Sequence, residues 1–220
     1  MPTPARDARA PRAAATVLLG AVVAVAACGP TGVYRTADPV ARGRWQVGAA
    51  AGGGVLRDTE QDTRIPTGHI ELEARRGMTD ALDLGLKLYT LGAEANATWR
   101  LYHQRWSLAL APSFGGARTR ENGILTDAIH LQGGSAFIAS RPISRRWTFA
   151  AGPLVGWGLF LPAGGGSAQG VWGGGFALFD FHTSGRFHLA PELALFDVLW
   201  GEVPVRGFGA RIGMGMRWDL

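Results

Sequence analysis

The sequence predicts an all-β chain: a closed, antiparallel, up-and-down membrane β-barrel of about ten strands, with eight as the other strand count it allows. Three observations predict this. From Arg44 onward, apolar residues alternate with polar or very small ones at a period of two, the mark of a strand with two unlike faces. The alternating stretches run to roughly 10–14 residues, longer than the five or six usual in soluble sheets and enough for a tilted strand to cross a bilayer. Glycine makes up 33 of the 220 residues, which works against long helices because each interior glycine costs about 1 kcal/mol relative to alanine. In lipid every backbone N–H and C=O must be paired within the protein, and a sheet does that without leaving an edge only when it closes.

The first element is a leader. Residues 1–12 carry Arg6, Arg9 and Arg12 against Asp7, and residues 13–27 carry no charge. A basic region followed by a short apolar run and small residues is a secretory signal; the run is too short for a spanning helix, which needs about 20 residues. Val25-Ala26-Ala27-Cys28 resembles the bacterial lipobox. The resemblance implies cleavage between Ala27 and Cys28, acyl (palmitate) and diacylglycerol groups on Cys28, and, with Gly29 next, release to the outer membrane of a Gram-negative cell. Cys28 is the only cysteine, so no intramolecular disulfide is possible. Residues 28–43, CGPTGVYRTADPVARG, hold turn formers without periodicity and read as a tether. The domain organisation is therefore signal peptide 1–27, acylated tether 28–43 and barrel 44–220.

Strands are expected near 44–56, 68–77, 81–90, 92–103, 106–116, 126–140, 147–160, 170–182, 187–200 and 206–220. In the second, Ile70, Leu72 and Ala74 oppose Glu71, Glu73 and Arg75. In the third, Leu82, Leu84, Leu86 and Leu88 oppose Asp83, Gly85 and Lys87. The apolar set then changes from even to odd numbers, continuing as Leu91, Ala93, Ala95, Ala97, Trp99 and Leu101. A strand cannot change faces without a turn or a bulge, so a tight turn is placed at Thr90-Leu91-Gly92. The last strand alternates most cleanly, with Phe208, Ala210, Ile212, Met214, Met216 and Trp218 against Gly207, Gly209, Arg211, Gly213, Gly215 and Arg217.

The connections broadly alternate short with long, the third excepted. LRDTEQDTRIPT, ARTRENG and LPAGGGSAQ are long, while GMTD, HQR and TSGR are short; membrane barrels pair short periplasmic turns with longer outer loops. Trp45, Trp106 and Trp147 open strands, and Trp200 and Trp218 fall near strand ends, where headgroup-level aromatics belong. Leu, Ala, Phe and Met are expected to meet acyl chains. Glu71, Glu73, Arg75, Asp83, Lys87, Glu94, Arg100, Glu192, Arg211 and Arg217 are expected inside as mixed-sign ion pairs, with the glycine runs at 49–54 and 173–177 packing closely there. The pattern over residues 44–220 resembles small bacterial outer-membrane β-barrels, departing from them in ending Trp218-Asp219-Leu220 rather than on an aromatic residue.

The leader holds three arginines and one aspartate, so the mature chain carries +3 of the chain's +5 charge. Lys87 is the only lysine, and no basic block interleaves with aromatics, which excludes a nucleic-acid groove. FDFHTSG at 179–185 places Asp180, His182 and Ser184 on one strand face, and a His–Ser pair steered by an acid is what nucleophilic catalysis requires. His182-Thr183-Ser184 also resembles the dyad of outer-membrane lipid A deacylases, which implies a hydrolase with Glu192 as orienting acid; that family has Asn after the Ser, and here Gly185 follows. The remaining histidines are scattered, no metal-ligand spacing occurs, and no phosphate loop is present. The expectation is a monomeric outer-membrane lipoprotein, anchored from the periplasmic side, with a structural, adhesive or narrow-pore role, no cofactor and no catalytic or metal site. The alternatives are the lipid A hydrolase using His182 and Ser184, and a lipid-anchored soluble β-barrel that binds a lipidic ligand.

Overall fold

The computed structural model describes residues 32–58, 62–89, 92–121, 124–162, 165–184, 186–201 and 207–220, and for residues 58, 65, 119–121, 124–128 and 184 it describes the backbone alone. Ala27 and Cys28, the signal peptide and the Thr90-Leu91 turn lie outside the described residues. Ten strands follow one another: β1 (Trp45–Asp58), β2 (Thr63–Gly77), β3 (Leu82–Tyr89), β4 (Gly92–His103), β5 (Ser107–Glu121), β6 (Ile124–Pro142), β7 (Trp147–Leu161), β8 (Ala168–Ser184), β9 (Phe187–Gly201) and β10 (Phe208–Asp219). Each pairs antiparallel with its sequence neighbours, and β1 pairs with β10 to close the barrel.

The strands outrun their expected ends. β5 and β6 extend through the segment expected as the ARTRENG loop, and β1 and β2 shorten the first connection to residues 59–62. Polar residues there continue the ladder, because hydrogen bonding between strands does not depend on which face is apolar. One mouth of the barrel carries both strand termini, Trp45 and Asp219, together with the connections at 78–81, 104–106, 143–146 and 185–186. It is called the terminal mouth below.

The faces segregate as alternation requires. Ile70, Leu72, Leu84, Leu86, Leu88, Leu193, Ile212, Met214 and Met216 point outward and are exposed. Glu71, Arg75, Asp83, Lys87, Glu94, Glu192, Arg211 and Arg217 are buried inside. The interior differs from expectation on one side. The inward residues of β5 to β9 form an apolar cluster that includes Ala109, Ala111, Ala136, Ile138, Ala150, Leu154, Phe176, Leu178 and Ala194, with Trp172 and Phe196 packed against it. Most of the buried charges gather on the opposite side, on β2, β3, β4 and β10, joined by Glu192 of β9, with Asp180 of β8 at the terminal mouth.

Candidate functional site: a plugged lumen

Residues 32–40, which the sequence reads as part of a tether, lie inside the barrel. They bond to β2, β3, β4, β6 and β9, which only a segment within the lumen can reach together. The segment enters at the terminal mouth, where Arg42 bridges to Gly77, and reaches Gly32 deep among the charged residues. Having no periodicity and little secondary structure of its own, it must find partners elsewhere for its backbone groups, since a buried amide left unbonded costs about 1–3 kcal/mol.

Carboxylates on the wall supply those partners, and each is balanced by a cation of the wall. Glu192 on β9 accepts the Val33 N–H at 3.2 Å and the Tyr34 N–H at 2.6 Å while it binds Arg211 of β10 at 2.6 Å. Glu71 accepts the Gly32 N–H at 2.9 Å and pairs with Lys87 at 3.1 Å; the Lys87 ammonium donates to the Gly32 carbonyl at 2.7 Å. Asp83 accepts the Val40 N–H at 2.8 Å and pairs with Arg75 at 2.5 Å. Lower down, Ser140 Oγ accepts the Ala37 N–H at 3.2 Å. Arg35 donates to Asn96 Oδ1 at 2.7 Å, and Asp38 accepts from Ser107 Oγ at 2.8 Å. On the other wall Val33 and Ala37 pack into the apolar cluster. The plug is thus two-sided, matching the two-sided lumen.

Tyr34 is its pivot. Its φ of 42° is left-handed, a region that a bulky residue occupies only where the surroundings hold it. Its hydroxyl lies 3.0 Å from His69 Nε2. The ring lies against the inward glycines of the seam between β1 and β10: a Cβ at Gly215 would come within 2.8 Å of Tyr34 Cβ, and one at Gly213 would overlap the Tyr34 hydroxyl. The space these glycines leave is filled by Tyr34. Around the plug a cavity of about 40 Å³ remains between Gly32, Arg35, Gln132 and Trp172, room for a few waters. A cleft of about 430 Å³ opens at the terminal mouth beside Asp180, His182, His188, Arg217 and Asp219.

That cleft holds part of the expected hydrolase triad. Asp180 Oδ2 lies 3.2 Å from His182 Nε2, so the two side chains bridge the strand rise that separates their backbones. Ser184 does not continue the pattern. His182 pairs with His188, but Ser184 pairs with Phe187 across a register shift, so the backbone alternation is interrupted between them. The expected orienting acid, Glu192, lies deeper in the lumen on Arg211 and the plug. Sequence reasoning passed over His188, which the β8–β9 hairpin brings opposite His182, with ring centroids 4.3 Å apart. It also passed over Tyr34 and Arg35, whose partners are distant in the chain.

No family model matches the chain, and no curated protein matches it in sequence. Solved structures match in fold. An outer-membrane channel from Pseudomonas putida F1 has a TM-score of 0.51 at 11% identity, covering 87% of this chain and 100% of its own. Neisserial surface protein A has a TM-score of 0.48 at 10% identity, covering 79% and 96%. At these identities the likeness is one of fold.

Proposed function

We propose that this chain is an integral outer-membrane β-barrel kept shut by its own N-terminal segment, with a structural or adhesive role and no catalysis. The observation that carries the membrane reading is the inversion of the faces: large apolar side chains outside, buried charges inside. A soluble barrel would place them the other way, because burying unpaired charge is costly and exposing a continuous apolar belt invites association. The belt's rim supports it. At the terminal mouth the rings of Trp147 and Phe181 pack at a tilt with centroids 4.5 Å apart, and those of Phe187 and Trp218 likewise at 4.2 Å; Arg76 lies over Trp45, and Arg141 over Trp106. Aromatic rings with cationic neighbours suit the headgroup level. With the terminal mouth toward the periplasm, the two longest connections, 162–167 and 202–207, fall on the outer side, as is usual for such barrels.

The plug argues for a closed barrel over a narrow open pore. Carboxylates that would line a pore are taken up by backbone amides of residues 32–40. The lipoprotein reading is part of the same proposal and rests on the motif ending in Cys28. Heat-modifiable migration in detergent gels together with planar-bilayer recording tests the proposal. A folded band that shifts on boiling and a silent bilayer are expected; a steady conductance from the folded protein overturns the closed reading, and loss of heat modifiability overturns the membrane barrel.

A further inference from the structure

The plug and its ion pairs leave one cluster at the terminal mouth unexplained. Asp180 and His182 on β8 face the same cleft, and His188 meets them from β9 as the cross-strand partner of His182. Asp180 Oδ2 is 3.2 Å from His182 Nε2 and 3.2 Å from His188 Nδ1, and the three atoms all lie within 4.8 Å of one another. An ion held tetrahedrally at 2.0–2.1 Å has ligands about 3.3–3.4 Å apart. Two of the three edges are already close to that length, and the ligand atoms are nowhere more than 4.8 Å apart.

The surroundings are built as a metal site's surroundings are. Behind His188, Asp219 Oδ2 lies 3.2 Å from Nε2, and Gln46 in turn donates to Asp219 Oδ1 at 2.6 Å. A carboxylate that holds Nε2–H fixes the ring and keeps Nδ1 facing Asp180, so that loss of the Nδ1 proton presents a lone pair to an ion there, the arrangement that orients imidazole ligands. Arg217 takes the second oxygen of Asp180 at 2.7 Å, leaving Oδ2 for the shared point. His182 Nε2 is shut off from water and makes no hydrogen bond of acceptable geometry, although nothing prevents it from binding an ion there. Once an ion has displaced the His188 Nδ1 proton and both imidazoles are neutral, Asp180 and Asp219 against Arg217 leave one net negative charge to balance a divalent cation. The cleft of about 430 Å³ gives access and space for a water.

We propose that Asp180, His182 and His188 bind a divalent transition-metal ion of the zinc class (Zn²⁺, Co²⁺, Ni²⁺ or Cu²⁺), with water from the cleft as fourth ligand. Two nitrogens and one oxygen select such ions over Mg²⁺ and Ca²⁺, which require mainly oxygen donors. Occupancy displaces the hydrogen between Asp180 and His188 and ties β8 to β9 beside their turn.

The full-length barrel, purified in detergent through a tag other than polyhistidine, is titrated with Zn²⁺ by calorimetry and with Co²⁺ by visible absorption. One Zn²⁺ per chain and the intense visible bands of tetrahedral Co²⁺ are expected. His182→Ala, whose side chain is 37% exposed and whose Nε2 makes no hydrogen bond among the described residues, is expected to weaken binding tenfold or more and to keep its heat-modifiable migration. His103→Ala, at the same mouth but outside the cluster, is expected to bind as wild type. Absence of binding up to about 1 mM Zn²⁺, or an affinity unchanged in His182→Ala, overturns the site. Asp180→Asn adds a second ligand test; should it fail to fold, His182→Ala alone decides.

Discussion

The Glu192 carboxylate and the Tyr34 amide meet at 2.6 Å across 158 residues of chain. The same carboxylate holds Val33 N–H and the Arg211 guanidinium, so one side chain joins the plug to the wall and to the next strand. Removing it touches three bonds at once. Glu192→Ala is expected to destabilise the barrel by about 3–5 kcal/mol, since it deprives a buried guanidinium of its carboxylate. Urea unfolding followed by the heat-modifiable gel shift measures this, and a loss below about 1 kcal/mol would mean that the pair behaves as an exposed one.

Gly213 and Tyr34 compete for one space. Gly213→Leu is expected to expel the pivot ring and with it the plug, so that a bilayer silent with wild type conducts with the variant. The paired variant Gly213→Leu with Tyr34→Ala restores room and is expected to conduct less than Gly213→Leu alone. Single-channel recording on both checks the order.

Ile212, on the outer face of β10 and 68% exposed, is placed to meet acyl chains. Ile212→Arg is expected to cost about 2–4 kcal/mol near the bilayer midplane. The measurement is refolding into lipid vesicles. A soluble barrel would tolerate the same exchange and gain solubility.

Cys28→Ala is expected to abolish incorporation of labelled palmitate while the protein stays in the membrane fraction, because the strands insert without the acyl chains. Fractionation after alkaline extraction checks both halves. Release of the variant into the soluble fraction would instead mark an anchored soluble domain.

Most of the wall was legible in the sequence and its contents were not, for a physical reason. Leu82, Leu84, Leu86 and Leu88 read as an outward face because period two is a local property of a strand. The inward charges followed from the same parity. Tyr34 could not be placed that way, since residues 32–40 carry no period and their partners, Glu71, Asp83 and Glu192, are 39, 43 and 158 residues away. The glycines opposite Tyr34 were seen as close packing without any sign of what packs there. Asp180 and His182 stood out at alternate positions, but only hairpin register brings in His188, and only the register shift takes Ser184 out of line. The apolar inner wall was hidden because Ala109, Ala111, Ala136 and Ala150 suit either face of a strand.

The seam between β1 and β10 has a consequence for the order of events in assembly. Residues 32–40 come directly before β1, and Tyr34 rests on glycines from both sides of that seam. Synthesised ahead of every strand, the segment offers the first and last strands one shared surface to meet on, so a plug seated early favours the closing of the cylinder at that seam.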